Sequence, residues 1–315
     1  MTPIIDLHCD TILGLHKNGE DEHLDINNLH IDIEKLRQGG VDTQFFAVFV
    51  KLEEHPDPWA AFLLISDRLS KELARTPGAI AQVRSRAEMD DAARSGKISA
   101  FLTIEEGEVV AGDHPRRLEE AYERGVRLVT LTWNYENSLG FPNFKWTHRE
   151  KGLKPEGKEM VERMNDLGML IDVSHLSDGG FSDVAELSKQ PFIASHSNAR
   201  AQCDHYRNLT DEMIKRIADY GGVVGLNFCP AFLNGTESAS LEDMTRHMVH
   251  IKDVGGAEVT ALGSDFDGIH GELGIQDAGE YQKFIDALGR AGFTDRELEL
   301  AAHENARRVI REVIG

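Results

Sequence analysis

Eight short apolar runs separated by helical stretches constrain this chain more than anything else in it. They fall at residues 4–8, 41–50, 98–105, 126–133, 169–174, 192–195, 223–227 and 259–265. Each is rich in β-branched or aromatic residues, and most end in small or polar ones, the pattern of a strand buried on both faces of a parallel sheet. Between them, apolar residues at helical spacing predict helices at 33–38, 59–74, 87–95, 118–124, 158–167 and 241–254, with Thr210 N-capping one that runs to Tyr220. Gly39-Gly40, Gly125, Gly168 and Gly221-Gly222 stand where those helices must stop. Strict alternation of strand and helix implies a parallel sheet. Eight such units imply an α/β fold of the (β/α)8 TIM-barrel type, here over residues 1–315 as one domain, with its site at the C-terminal ends of the strands.

The polar residues follow that expectation. His8 and Asp10 end the first predicted strand and Glu105 the third. His175 and His196 end the fifth and sixth, and Asp265 ends the eighth. Each alone has an ordinary reading: a histidine closing a strand, an aspartate capping a helix. In a closed barrel all six converge on one mouth. Three imidazoles and three carboxylates exceed what one tetrahedral ion takes, but they suit two divalent ions about 3.5–4 Å apart with a carboxylate between them. Nitrogen and oxygen ligands without thiolate point to zinc, with manganese or cobalt as substitutes. The expected sets are His8, Asp10 and Glu105 on one ion and Glu105, His175 and His196 on the other, so that Glu105 bridges. A hydroxide held between the ions is the expected nucleophile, and Asp265 the expected base that later protonates the leaving amine. Cys9, between His8 and Asp10, should point to the opposite side of the strand and pack as a small hydrophobe.

Charge and cysteine content narrow the partners. With 54 acidic and 34 basic side chains the net charge is −20. That argues against nucleic acid or an anionic membrane as partner. Three cysteines, an odd and sparse set, do not make a disulfide framework. The first residues carry no basic n-region or apolar h-region, and no run of eighteen apolar residues occurs. A cytoplasmic chain without a membrane segment is the resulting expectation.

Seven stretches, in order along the chain, resemble the membrane (renal) dipeptidase family of zinc metallopeptidases in the amidohydrolase superfamily. They are DLHCDT at 6–11, TIEEG at 103–107, LVTLTWN at 128–134, GMLIDVSH at 168–175, ASHS at 194–197, RNLTD at 207–211 and GSDFDG at 263–268. The resemblance implies a binuclear zinc dipeptidase with Glu105 bridging. It also implies that Arg207 binds the free carboxylate of a dipeptide, a task suited to a guanidinium fork, which would restrict cleavage to dipeptides. It extends to acceptance of a C-terminal D-residue, to hydrolysis of β-lactam-type amides by some members, and to a homodimer. Two positions depart from the family pattern. Glu106 replaces a glycine after the bridging glutamate, altering charge beside the metals. Trp133 stands where many members carry a histidine that stabilises the carbonyl oxyanion. Oxyanion stabilisation then falls to the metals, to the Trp133 indole N–H or to His148 in the following loop. Other substrates compatible with the same barrel are an N-acyl amino acid, a cyclic amide or a lactone. A non-enzymatic metal-binding barrel would show decay of the ligand set, and all of it is present.

Overall fold

The computed structural model describes residues 1–113 and 115–315. Its strands are β1 (Ile4–Cys9), β2 (Val41–Phe49), β3 (Ile80–Gln82), β4 (Ile98–Glu105), β5 (Val126–Thr130), β6 (Leu170–Asp172), β7 (Val224–Leu226), β8 (Ser238–Ala239), β9 (Thr260–Leu262) and β10 (Glu272–Leu273). The main sheet runs β6-β5-β4-β2-β1-β9-β7, and every pairing in it is parallel. Residues 192–195 complete the circle, with parallel bridges from Ile193 to Asp172 and from Ala194 to Val224. The result is a closed α/β barrel of the TIM type.

Local chemistry explains where the elements start and stop. Asp57, Ser85 and Thr210 each accept a backbone N–H three residues ahead, opening the helices Pro58–Arg75, Arg86–Arg94 and Asp211–Asp219. Gly40, Gly125 and Gly168 take the left-handed conformation that ends three others. The barrel interior near its base is apolar: Ile5, Leu7, Phe45, Phe101, Leu128, Leu170 and Ile193 pack with Val309, Ile310 and Val313 of the last helix, Asn305–Val313. Phe45 and Phe101 stack at 4.6 Å between ring centroids. Each of these large side chains contributes about 1.5–3 kcal/mol by leaving water. The terminal helix thus plugs one end and leaves the other for the site.

Several expected boundaries move. The strand expected at 126–133 ends at Thr130, which leaves Trp133 in the loop beyond it. The strand expected at 259–265 shortens to Thr260–Leu262 behind a 3-10 turn at Ala257–Val259. Residues 192–195 join the ladder only through isolated bridges. Ile80–Gln82 is an additional short strand on the β5 side of β4, pairing with Ile98, Ser99 and Ala100 before β5 takes over at Leu102. Among the described residues no helix is long and apolar enough to cross a membrane.

Candidate metal centre and active site

The site is built on paired supports beneath the strand ends. Asp172, at the end of β6, is fully buried. Its Oδ1 accepts Ser174 N–H at 3.0 Å and Ser195 N–H at 2.8 Å, and its Oδ2 accepts the hydroxyls of Ser195 at 2.5 Å and Thr130 at 2.7 Å. Since the Ser195 hydroxyl gives its proton to Asp172, it accepts from His196 Nδ1 at 2.7 Å. That fixes the His196 tautomer with Nε2 unprotonated and free to ligate. Asp6 repeats the device on the other side of the barrel. It accepts the backbone N–H and hydroxyl of Ser264 (2.8 and 2.7 Å), the Tyr281 hydroxyl (2.7 Å) and the Gln44 amide (3.0 Å). In both cases a buried aspartate grips the serine immediately before a site residue, His196 or Asp265.

The chain turns sharply where these side chains face the mouth. Six non-glycine residues among those described have positive φ, and Glu106 (83°), His175 (67°), Asp265 (62°) and Asp267 (69°) are four of them. Side chains other than glycine rarely adopt this region, and such strain gathers at functional sites. β1 shows a register shift against β2 between Asp6 and Cys9, just where His8 emerges. Gly268 serves a different need: a Cβ there would lie 2.1 Å from Asp10 Oδ2 and 2.7 Å from Asp265 Oδ1, so a side chain at this position would push those carboxylates aside.

Six of the sequence-derived candidates come together. The two oxygens of Glu105 face different partners. Oε1 lies 3.1 Å from His175 Nε2 and 3.5 Å from His196 Nε2, whereas Oε2 lies 3.4 Å from His8 Nε2. His8 Nε2 is also 3.5 Å from Asp10 Oδ2 and 3.8 Å from Asp265 Oδ1. The imidazole nitrogens of His175 and His196 approach to 3.1 Å. Donor sets His8/Asp10/Glu105, Glu105/His175/His196 and His8/His196/Asp265 each lie within 4.8 Å.

A metal fits this arrangement on three counts. Ligand bonds of about 2.0–2.1 Å at a tetrahedral angle place donors about 3.3 Å apart, which is the spacing seen. His8 Nε2 and Asp10 Oδ1 are buried without a hydrogen-bond partner among the described residues. Three buried carboxylates crowd one imidazole, a charge excess that burial does not tolerate without cations. The protonation tendencies separate the imidazoles: burial alone would lower His8, but Glu105 and Asp10 outweigh it and hold His8 well above its ordinary value, while the other two go down. Burial, with the nearby Arg207 charge, lowers His175 to about 4. Burial, then His8, holds His196 well below its ordinary value. Both are therefore neutral and ready to ligate. Burial, reinforced by Asp10 and Glu105, raises Asp265 to about 8.

The remaining candidates occupy distinct places. Trp133 lines the cavity above this cluster, a space of about 1080 Å³, together with Phe49, Phe232 and Ile269. Its ring sits 4.7 Å from Phe49 and 6.1 Å from His175. Arg207 is buried. Its Nη2 donates to His196 O at 3.0 Å, Nε and Nη1 have no partner among the described residues, and its guanidinium lies 5.3 Å from the centre of the cavity-lining Phe232 ring. His148 does not join them. It packs on Phe141 and faces Glu136 at 3.9 Å, away from the cavity-lining residues. Glu106 does not add charge toward the metal donors as its position implied. Its carboxylate turns into the next loop, accepting N–H groups of Trp133 (3.0 Å), Glu108 (2.9 Å) and Asn137 (2.5 Å), while burial raises it to about 7. Cys9 is buried, and all three cysteines are free.

Two residues that strand-end reasoning passed over also touch the site. Asn227 donates its amide to Asp265 Oδ2 at 2.8 Å and exchanges hydrogen bonds with Asn198. Asn134 accepts at Oδ1 from His175 Nδ1, 3.1 Å away. An asparagine just past a strand carries no periodic signal. Only the histidine's need for an Nδ1 acceptor could have pointed to one.

The sequence model of the family described as membrane dipeptidase (peptidase family M19) matches residues 1–314. The chain belongs to this family. It is a metallopeptidase, a dipeptidase of family M19. An uncharacterised dipeptidase of Schizosaccharomyces pombe is 32% identical over 98% of this chain and 80% of its own length. The solved dipeptidase AC, a metallopeptidase of family M19, superposes with a TM-score of 0.92 at 27% identity, covering 100% of both chains. A Rhodobacter sphaeroides metallopeptidase, liganded with a phosphinate mimic of the dipeptide L-Ala-D-Ala, matches with a TM-score of 0.91 at 26% identity over 99% of each chain. A Pseudomonas aeruginosa amidohydrolase shares the fold at a TM-score of 0.84 and 24% identity, over 100% of this chain and 97% of its own.

Proposed function

We propose that the protein hydrolyses the single peptide bond of free dipeptides at a two-ion centre, with His8, Asp10 and Glu105 holding one ion and Glu105, His175 and His196 the other. Zinc suits these donors, and manganese or cobalt would substitute. Bound there, the ions supply Lewis acidity toward the scissile carbonyl and a nucleophilic water at neutral pH. The chain's own groups do the rest. Asp265, its Oδ2 tied to Asn227, takes the proton of the attacking water at Oδ1 and returns it to the leaving amine. Phe49 and Trp133 wall the cavity beside the metal donors. Arg207 is the anchor for the substrate's free carboxylate.

The observation that carries this reading is Arg207. A buried guanidinium with two unpartnered nitrogens is costly unless an anion completes it. Its position next to His196 sets a short, fixed distance from that anion to the metal donors. The ligand of the R. sphaeroides metallopeptidase supports including dipeptides with a C-terminal D-residue among the substrates. The unpaired cysteines and the net charge of −20 support a reducing, cytoplasmic setting. The test is a panel of L,L- and L,D-dipeptides, their C-terminal amides, tripeptides and N-acyl amino acids, assayed with zinc. Dipeptides should be cleaved, and their amides should lose at least about 100-fold in kcat/KM, the scale of a lost charge-assisted fork. Equal rates on amidated dipeptides would remove Arg207 from its role. Preference for N-acyl amino acids would replace the dipeptide reading.

A further inference from the structure

We infer that Asn134 is a catalytic residue whose side-chain N–H groups bind the scissile carbonyl oxygen as it gains negative charge. The inference rests on the dipeptidase reading above. The orientation of Asn134 follows from its neighbour. His175 sits 3.1 Å from Glu105 at Nε2, so Nε2 is the atom turned toward the metal donors and the ring proton belongs on Nδ1. Nδ1 then donates to Asn134 Oδ1 at 3.1 Å. With its oxygen committed, the carboxamide can turn only one way, and its NH2 is directed away from His175.

That NH2 has no hydrogen-bond partner among the described residues, although the side chain is half-buried and lines the catalytic cavity beside Trp133 and Glu105. Elsewhere in this neighbourhood side-chain amides are used. Asn137 donates to Glu106 and to Leu131 O, and Asn227 donates to Asp265. An amide donor held rigidly by one end at the rim of a two-ion donor set, with the other end unpaired, is the arrangement that stabilises a developing oxyanion. Trp133 is the neighbouring alternative; its ring packs on Phe49 and Tyr135 and its backbone N–H goes to Glu106, but among the described residues no hydrogen bond orients its indole N–H as the His175 bond orients Asn134. Attack of water on the carbonyl carbon moves the C=O π electrons onto oxygen. An Asn134 N–H would meet that charge, and when the tetrahedral carbon collapses and the C–N bond breaks, the bond to oxygen weakens again.

Two substitutions separate this role from simple support of His175. Asn134→Asp keeps an acceptor for the His175 Nδ1 proton but removes the donor, whereas Asn134→Ala removes both. The readouts are kcat and KM for a dipeptide, calorimetric affinity for a phosphinate dipeptide mimic, and zinc content per chain. Asn134→Asp should hold as much zinc as the wild-type protein and lose about 10²–10³ in kcat with little change in KM, whereas Asn134→Ala, which also strips the acceptor from His175, should lose kcat and bind zinc more weakly. Phosphinate affinity, which reads the tetrahedral oxygen directly, should fall by a similar factor. Near-wild-type kcat and phosphinate affinity in Asn134→Asp would overturn the inference, as would loss of zinc from that variant. Loss of kcat confined to Trp133→Phe would overturn it in favour of the indole. A wild-type protein that cleaves no dipeptide defeats the reading beneath, a result distinct from active wild type with indifferent Asn134 variants.

Discussion

Ser195 contributes one hydroxyl, yet that hydroxyl decides which nitrogen of His196 is free. It donates to Asp172 and accepts from Nδ1, and among the described residues nothing else bonds that nitrogen. Ser195→Ala should therefore weaken zinc binding by about 10–100-fold, the usual effect of removing a partner behind a metal-ligating histidine. Competition with a chromogenic chelator measures it, and unchanged affinity would mean that the tautomer is set elsewhere. Asp265→Asn should keep the metals and lose about 10²–10⁴ in kcat, the range of a lost general base. A variant with near-normal turnover would remove Asp265 as proton carrier. Residues such as His8, Glu105, His175, His196 and Asp265 were readable in the sequence because each closes an apolar run. Asn134, Asn227 and the serines were not, since their importance lies in what they touch across the barrel. His148 lies outside the cavity lining, and a long loop says nothing about which of its side chains turns inward.

Strands and loops carry their own constraints. The loop after β9 must pass within van der Waals contact of two carboxylates, which it does at Gly268. Gly268→Ala forces Asp10 or Asp265 aside. The variant should stay folded but lose most of its activity and part of its metal, as read by metal analysis and thermal melting. Full metal content and activity would show that the loop yields. At the other end of the barrel, His303 reaches Asp42 at 3.1 Å and joins the tail helices to the start of β2. Burial alone would lower this imidazole, but Asp42 and Glu304 outweigh it and hold it above its ordinary value. The folded protein therefore keeps that proton more tightly than the unfolded chain. The contribution is full below about pH 6.5 and fades as pH rises through the raised value. Because Asp42 is partly exposed, it is worth about 1 kcal/mol or less. His303→Gln should melt below wild type at pH 5.5 and converge with it by pH 8.5; an equal gap at both would assign the effect to packing. The irregular segment at 192–195 shows what hydrophobic pattern can convey. Its apolar residues announced burial correctly, whereas ladder bonding depends on neighbours, and the close fit of Ser195 O against Gly225 and Gly263 goes with isolated bridges.

For the molecule as a whole, closure is what makes a site. Residues from 8 to 265 meet only because the parallel sheet curls until residues 192–195 bridge β6 to β7, while the last helix fills the base. Alternation of strand and helix was enough to expect that architecture, because it is a property of the entire chain rather than of any boundary. The same closure gathers Asp10, Glu105 and Asp265 around His8 at 3.4–3.8 Å. Stripping the metals should therefore lower the melting temperature, and excess zinc should restore it by mass action, about 2.7 kcal/mol at one hundred times the dissociation constant. Glu105, whose two oxygens face different imidazoles, would hold two ions at once. Metal content per chain, measured on zinc-saturated protein after removal of free metal and again for Glu105→Gln, tests it most directly. Two ions in the wild-type protein, with the variant unable to retain the pair, is the predicted result. A single ion per wild-type chain at saturation would contradict it.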